Sequence, residues 1–263
     1  MLTDAHCHPQ DLSRVYNEFE KERLSVKAAA SACDMEEFSF NEKMAHNTAS
    51  CNTLLLCFAA HPQLAAKFPA PRTGMETMLQ TLDTLAAQGH IAAVGEFGFD
   101  LYNAAFRETE AIQDTIFASQ LETALRYSLP VILHVRRAMH KIFAASKTLA
   151  KCKAVVFHSW PGAYEEARSL LGRGVNAWFS FGNAILLNHK QAQRSCALLP
   201  ADRLLTETDA PYQPRRGQKY SHWHDLPLIL QAASSLRGEA GNSIDMKDME
   251  SLIETNFYNA FGK

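Results

Sequence analysis

Six side chains able to bind a divalent cation each stand at the end of a short apolar run, and such runs recur along the whole chain. His6 and His8 lie in MLTDAHCH, Glu96 ends IAAVGE, His134 ends PVILH, His158 ends AVVFH and Asp209 ends RLLTETD. An apolar run of about four to eight residues, rich in Val, Ile and Leu and flanked by turn residues, reads as a buried strand. A polar residue at its last position then sits at the C-terminal end of that strand. In a parallel α/β barrel, side chains from several strands converge at that end. Four histidines and two carboxylates arriving at one rim would form a site for two divalent metal ions.

Eight strands are predicted: Leu2–His6, Ser25–Cys33, Asn52–Ala60, Ile91–Glu96, Val131–His134, Ala154–His158, Val175–Phe181 and Arg203–Asp209. Between them, Met75–Gln88 and Glu108–Tyr127 carry apolar residues at spacings of three and four, the pattern of helices that cover a barrel. Pro130 and Gly174 punctuate helix-to-strand turns. Ser25–Cys33 is alanine-rich and Ala184–Leu199 is only moderately periodic, so these are the weakest signals. Pro211–His224 reads as a long loop, and Leu226–Leu236 and Asp245–Phe261 as helices that close the bottom and edge of the barrel. Strands alternating with helices imply a parallel sheet, and eight of them imply closure. The 263 residues also match one (β/α)8 TIM barrel, which takes about 250. No repeat, low-complexity stretch or linker interrupts the sequence, so one domain over residues 1–263 is expected.

A net charge of −2 leaves no global electrostatic footprint for nucleic acid, so an anionic substrate must be held locally. The six cysteines are scattered without a C-x-x-C pair, which argues for reduced thiols in the cytoplasm. Cys7 lies between two candidate ligands, but strand alternation turns it into the core. The N-terminus has no apolar signal segment and no run approaches the ~18 residues of a membrane span. A monomer without membrane contact is expected.

Residues i and i+2 on a strand share a face, so His6 and His8 can grip one ion together. By the same parity Asp4 could orient one of them. Alone, H-x-H can be a chance pattern on a half-exposed strand; the other strand-end residues argue against that. Glu96 could offer one oxygen to each of two cations, with Gly95 and Gly98 letting backbone approach the site. Asp100, of the same parity, would stand behind it. His134 and His158 end consecutive strands and would hold the second ion with a share of Glu96. Asp209 would join the first ion and accept a proton from attacking water, supported by Glu207. Pro211 and Pro214 argue against an ordinary helix cap there.

With these residues in view the chain resembles the TatD family of metal-dependent hydrolases, within the amidohydrolase-like barrels. The matching stretches are DAHCHP at 4–9, HP at 61–62, GEFGFD at 95–100, PVILHVR at 130–136, VFHSW at 156–160, FSFG at 179–182 and LLTETDAPY at 204–212. The resemblance implies a (β/α)8 barrel, divalent metals such as Zn²⁺, Mg²⁺, Mn²⁺ or Co²⁺, and phosphodiester hydrolysis as a deoxyribonuclease or 3′–5′ exonuclease. It matches His6 and His8 to the first metal pair, Glu96 to the bridge, His134 and His158 to the second pair, and Asp209 to the final aspartate. Departures from the family pattern are Phe97 and Phe99, Arg137 in place of an acidic residue, HSW for HCF, and Ala60 before HP. These are expected to touch the pocket wall.

DNA or a small phosphodiester would be the substrate. Arg136, two residues past His134, can reach a phosphate. Arg215, Arg216 and Lys219 form a local basic cluster that suits a nucleic-acid backbone or is simply a solvated loop. Tyr212, Trp160 and Trp223 can stack on bases or pack. His61 can face the substrate or close a local turn. An amidohydrolase acting on a small metabolite is the alternative, but such relatives commonly bridge their metals with a carbamylated lysine, and Glu96 stands in that place. A non-enzymatic binding module would need neither open coordination positions nor a basic rim.

Overall fold

Apolar runs and amphipathic helices alternate into an eight-stranded parallel sheet whose strands follow chain order. The structure, a computed structural model, describes residues 1–19, 24–47, 52–67 and 73–262. The strands are β1 Leu2–Cys7, β2 Val26–Ala32, β3 Thr53–Phe58, β4 Ala93–Asp100, β5 Val131–Arg136, β6 Val155–Phe157, β7 Ala177–Phe181 and β8 Leu204–Thr206. Each pairs with the next in parallel. The junction between β8 and β1 is bridged instead by Thr206 Oγ1 donating to the Thr3 carbonyl (2.9 Å), Asp209 N to His6 O (3.0 Å) and His8 N to Ala210 O (2.8 Å). The result is a nearly closed (β/α)8 barrel.

The helices are α1 Pro9–Val15, α2 Met35–Ala45, α3 Leu64–Lys67, α4 Thr73–Ala87, α5 Ala104–Arg107, α6 Glu110–Arg126, α7 Met139–Leu149, α8 Tyr164–Gly172, α9 Lys190–Leu198, α10 Leu226–Glu239 and α11 Met246–Phe261. Asp34 and Asp245 cap α2 and α11 by accepting from the backbone N–H three residues on. Gly262, in the left-handed region at φ 73°, ends α11. The moderately periodic stretch 184–199 is broken: a single 3₁₀ turn at Asn183–Ile185 precedes α9, with Asn188 at φ 58° between them. The alanine-rich β2 is a true strand, because its small side chains face crowded neighbours on both sides.

One core layer lies inside the barrel. Ala5, Ala29, Ala93, Ile132, Val156, Trp178 and Leu205 fill it, and Phe257 and Phe261 of α11 plug its lower end. The larger layer lies outside, where Phe97, Phe99, Leu133, Phe157 and Phe179 meet Leu82, Phe117, Ile142 and Leu170 of the helices.

Two strands carry an extra residue. Asp4 pairs with Ala28 but Cys7 with Ala30, and Val94 pairs with Val131 but Phe97 with Leu133. In each, three steps on one strand oppose two on its neighbour, a β-bulge that resets which side chains face inward. One sequence expectation fails for this reason, and ordinary alternation from the inward-facing Glu96 overturns another. Asp4 does not share a face with His6. Phe97 and Phe99 face outward onto Phe117, at ring separations of 5.4 and 4.6 Å, and do not line the pocket. Gly95 and Gly98 allow the close approach expected of them, of β4 on the strand that carries His134: an added Cβ would stand 2.5 Å from Ile132 Cβ or 2.1 Å from the His134 carbonyl oxygen.

Five cysteines are free, Cys7 buried among them; Cys51 lies outside the described residues. Among those residues no helix is long and apolar enough to cross a membrane.

Candidate metal centre

The strand ends deliver the six sequence candidates to one point. β1 carries His6 at its end with His8 just beyond, β4 carries Glu96, β5 carries His134, and the first residues past β6 and β8 bring His158 and Asp209. Asp209 is not on a strand, as the sequence suggested, but on a left-handed turn at φ 52° three residues past β8.

One group of atoms comprises His6 Nε2, His8 Nε2, Glu96 Oε1 and Asp209 Oδ1. The two nitrogens are 3.1 Å apart; each is 3.2 Å from Glu96 Oε1, and they lie 3.5 and 3.6 Å from Asp209 Oδ1. Ligands of a tetrahedral ion at about 2.0–2.2 Å lie roughly 3.3–3.6 Å from one another, so these five edges outline a cation-sized hole. The second group uses the other oxygen of the same carboxylate. Glu96 Oε2 is 3.2 Å from His134 Nδ1 and 3.0 Å from His158 Nε2, which are 3.1 Å from each other. His61 Nε2 stands 3.6 Å from that oxygen. Imidazole nitrogens and carboxylate oxygens all point inward, with no lysine or arginine among them, so the donor set fits a pair of divalent ions.

Burial opposes the charge on Glu96, but His6, His61 and His158 together outweigh it and hold the carboxyl well below its usual range. Asp209 is likewise held down against burial, chiefly by His8 and His158. Burial works against protonated imidazoles too, yet Asp209 and Glu96 raise His8 to about 10, and the carboxylates around His158 raise it well above its normal value. His134 is raised by Asp100 and Glu96. His6 goes the other way, because burial dominates there, and the same cause brings His61 down to about 3. Without a cation, protons on some imidazoles balance the two carboxylates.

A second ring of residues sets these groups. Ser31 Oγ meets His6 Nδ1 at 3.2 Å, and Asp100 Oδ2 lies 3.4 Å from His134 Nε2 while accepting from Gln63 Nε2 at 2.7 Å. Glu207 does not support Asp209 as expected; its carboxylate lies 3.6 Å from His158 Nδ1. Asp4 binds no imidazole either. Its two oxygens accept from Thr208 N (3.0 Å) and Thr208 Oγ1 (2.5 Å), which fixes the turn before Asp209. Gln213 Nε2 donates to Asp209 Oδ2 at 2.7 Å. Ser31, Gln63, Thr208 and Gln213 had no distinguishing spacing in the sequence, because each acts through a tertiary contact.

The substrate candidates separate. His61 joins the centre, its ring 4.6 Å from that of His134. Tyr212 is half exposed beside His8, with its hydroxyl donating to Asp11. Arg136 is exposed and stacks its guanidinium 3.7 Å over Tyr102, with Arg137 at 4.5 Å. Arg215 is tied to the buried Asp225 at 2.7 Å. With Arg216, Leu186, Leu187 and Leu228 it lines a shallow groove of about 520 Å³ apart from the ligand set. Trp160 and Trp223 are buried, so packing is their role. Ala60 is buried as well, its backbone paired with Gln120, so neither it nor Trp160 forms a pocket wall.

Comparison with known proteins gives the family and the fold. The family profile described as TatD related DNase matches residues 3–262. A 3′-5′ ssDNA/RNA exonuclease TatD from Erwinia amylovora is 33% identical over 186 residues, 68% of this chain and 69% of the relative. A protein of the same name from Shigella flexneri serotype 5b is 27% identical over 240 residues, 85% of this chain and 88% of its own. Among solved structures, the TatD homologue YJJV from Escherichia coli K12 superposes with a TM-score of 0.83 at 24% identity, covering 100% of this chain and 98% of its own. A TatD family hydrolase from Entamoeba histolytica gives 0.73 at 16%, covering 99% and 97%. Matched by the profile over nearly its whole length, this chain belongs to the TatD-related DNase family.

Proposed function

We propose that this protein is a divalent-metal-dependent deoxyribonuclease acting as a 3′–5′ exonuclease on single strands, like the relatives named for that activity. The observation that carries this is Glu96, whose two oxygens each stand at 3.0–3.2 Å from a different pair of imidazoles. Two ions would sit there, the first held by His6, His8, Glu96 and Asp209, the second by Glu96, His134 and His158. Bound cations of this kind polarise a phosphoryl oxygen and acidify water. The chain's own residues supply the rest. Asp209 accepts or relays the proton of the attacking water. Burial keeps His61 neutral at physiological pH, and its Nδ1 accepts from Gln63 N at 3.2 Å, so Nε2 carries the hydrogen and can donate to a phosphate beside Glu96. Tyr212 offers an exposed ring for a base at the mouth, and Arg136 offers a guanidinium to a phosphate. Arg216 and the tethered Arg215 would meet the strand farther along.

The free cysteines among the described residues suit a reducing compartment such as the cytoplasm, and we take the protein to act as a monomer of one domain. Nothing in the site favours the metabolite hydrolase: the bridging position holds a carboxylate and no lysine. The test is an assay of metal-replete protein on 3′-labelled single-stranded DNA and on bis(p-nitrophenyl) phosphate with Mg²⁺, Mn²⁺, Co²⁺ or Zn²⁺. Cleavage of both is expected. Cleavage of neither would turn attention to amide and lactone substrates.

A further inference from the structure

Six non-glycine residues among those described have a left-handed backbone, and three of them meet in one hydrogen-bonded cluster. Ser159 (φ 45°) follows β6, Asp209 (φ 52°) follows β8, and Gln213 (φ 53°) lies four residues farther along the same loop. A residue bearing a side chain is uncommon in this region and stays there only where its surroundings hold it. The side chains do the holding. Gln213 Nε2 donates to Asp209 Oδ2 at 2.7 Å and to Ser159 Oγ at 2.8 Å, and Ser159 Oγ meets Gln213 Oε1 at 3.0 Å. The backbone of Gln213 is pinned from below: its carbonyl accepts from Asn183 Nδ2 at 3.1 Å, and buried Asn183 is bonded in turn to buried Asp225.

The two oxygens of Asp209 therefore face different partners. Oδ1 looks toward His6 and His8, and Oδ2 takes the amide of Gln213. We propose that Gln213, oriented by Ser159, is a positioning residue that fixes Asp209 in the rotamer presenting Oδ1 alone to the first cation. The clasp also ties the loops after β6 and β8 together on that side of the mouth. The inference rests on reading Asp209 as a ligand, and the test separates the two ideas.

Metal-free wild type, Gln213→Met, Ser159→Ala, the double variant and Asp209→Ala would be titrated with Mn²⁺ by calorimetry. Their turnover of bis(p-nitrophenyl) phosphate and their unfolding without metal would be followed in parallel. Methionine keeps the length of Gln213 without its donor, and residue 213 is exposed, so folding should be retained. Gln213→Met should weaken the first Mn²⁺ site by at least about tenfold, as loss of a residue behind a ligand commonly does. It should lower kcat with little change in KM. Ser159→Ala should move the same quantities less, and the double variant no further than Gln213→Met alone. Wild-type Mn²⁺ affinity in Gln213→Met, or effects of the two substitutions that simply add, would overturn the proposal while leaving the ligand reading intact. Asp209→Ala that still binds Mn²⁺ like wild type would overturn both.

Discussion

Removing the Glu96 carboxylate should leave two groups of imidazoles with no anion between them. Glu96→Ala is expected to lower phosphodiesterase activity by well over about 100-fold at saturating metal. Asp100→Ala, which frees the far side of His134 and releases Gln63 but leaves the shared carboxylate in place, should cost about 10–100-fold. Steady-state rates on one diester decide this, and equal rates for Glu96→Ala and wild type would refute the shared-carboxylate reading. Protonation gives a second prediction. Against the pull of burial, neighbouring carboxylates raise His8 to about 10 and His158 well above its usual value in the metal-free protein, so these two hold protons near neutrality that a cation must displace. A raised pKa means that lower pH favours the proton, so Mn²⁺ affinity should climb from pH 7 to pH 9. The binding heat should also change with the ionisation enthalpy of the buffer. A pH-independent affinity would contradict it. At this scale the sequence disclosed the six inward-pointing ligand candidates, because each closes an apolar run. It concealed their supports: Ser31, Gln63 and Gln213 reach the centre only through contacts made after folding.

Elements were legible wherever hydrophobic periodicity alone decides the structure. All eight strands lie where alternation and apolar runs put them, and α4, α6, α10 and α11 follow spacings of three and four. What periodicity cannot convey is an inserted residue. The bulge in β1 shifts parity by one and turns Asp4 away from the imidazoles, and that in β4 brings Glu96 to the inner face although Val94 faces outward; Phe97 and Phe99 then face α6 by ordinary alternation. The end of β8 was misplaced for a related reason: Asp209 follows a run that looks strand-like, but its ladder partners stop at Thr206. The plug from α11 makes a stability prediction. Phe257 is fully buried at the lower end of the barrel interior, far in sequence from the ligands. Phe257→Ala should destabilise the fold by about 3–5 kcal/mol through lost burial and a residual cavity. Chemical denaturation measures this; a change below about 1 kcal/mol would mean that the site collapses or that α11 is not needed to fill the barrel.

Over the whole molecule, a net charge of −2 predicts little long-range pull on a polyanion, so binding must come from a few local cations. If Arg136, Arg216 and a partner engage roughly two or three phosphates of a single strand, log K against log salt should slope at about −1.4 to −2.1. Arg215 already serves Asp225, so Arg216→Glu should flatten that slope more than Arg215→Lys. A salt-independent affinity would remove the local-cation account. The seam of the barrel has a consequence in time. Asp4 of β1 holds Thr208 beside Asp209 across 204 residues of chain. During synthesis at about 5–20 residues per second, roughly 10–40 s pass between the emergence of these two partners from the ribosome. Throughout that interval the nascent chain carries His6 and His8 without Asp209. Any nuclease activity of this protein would thus begin only after the turn that carries Asp209 has been made, and a message broken before its last strand would yield a product unable to attack nucleic acid.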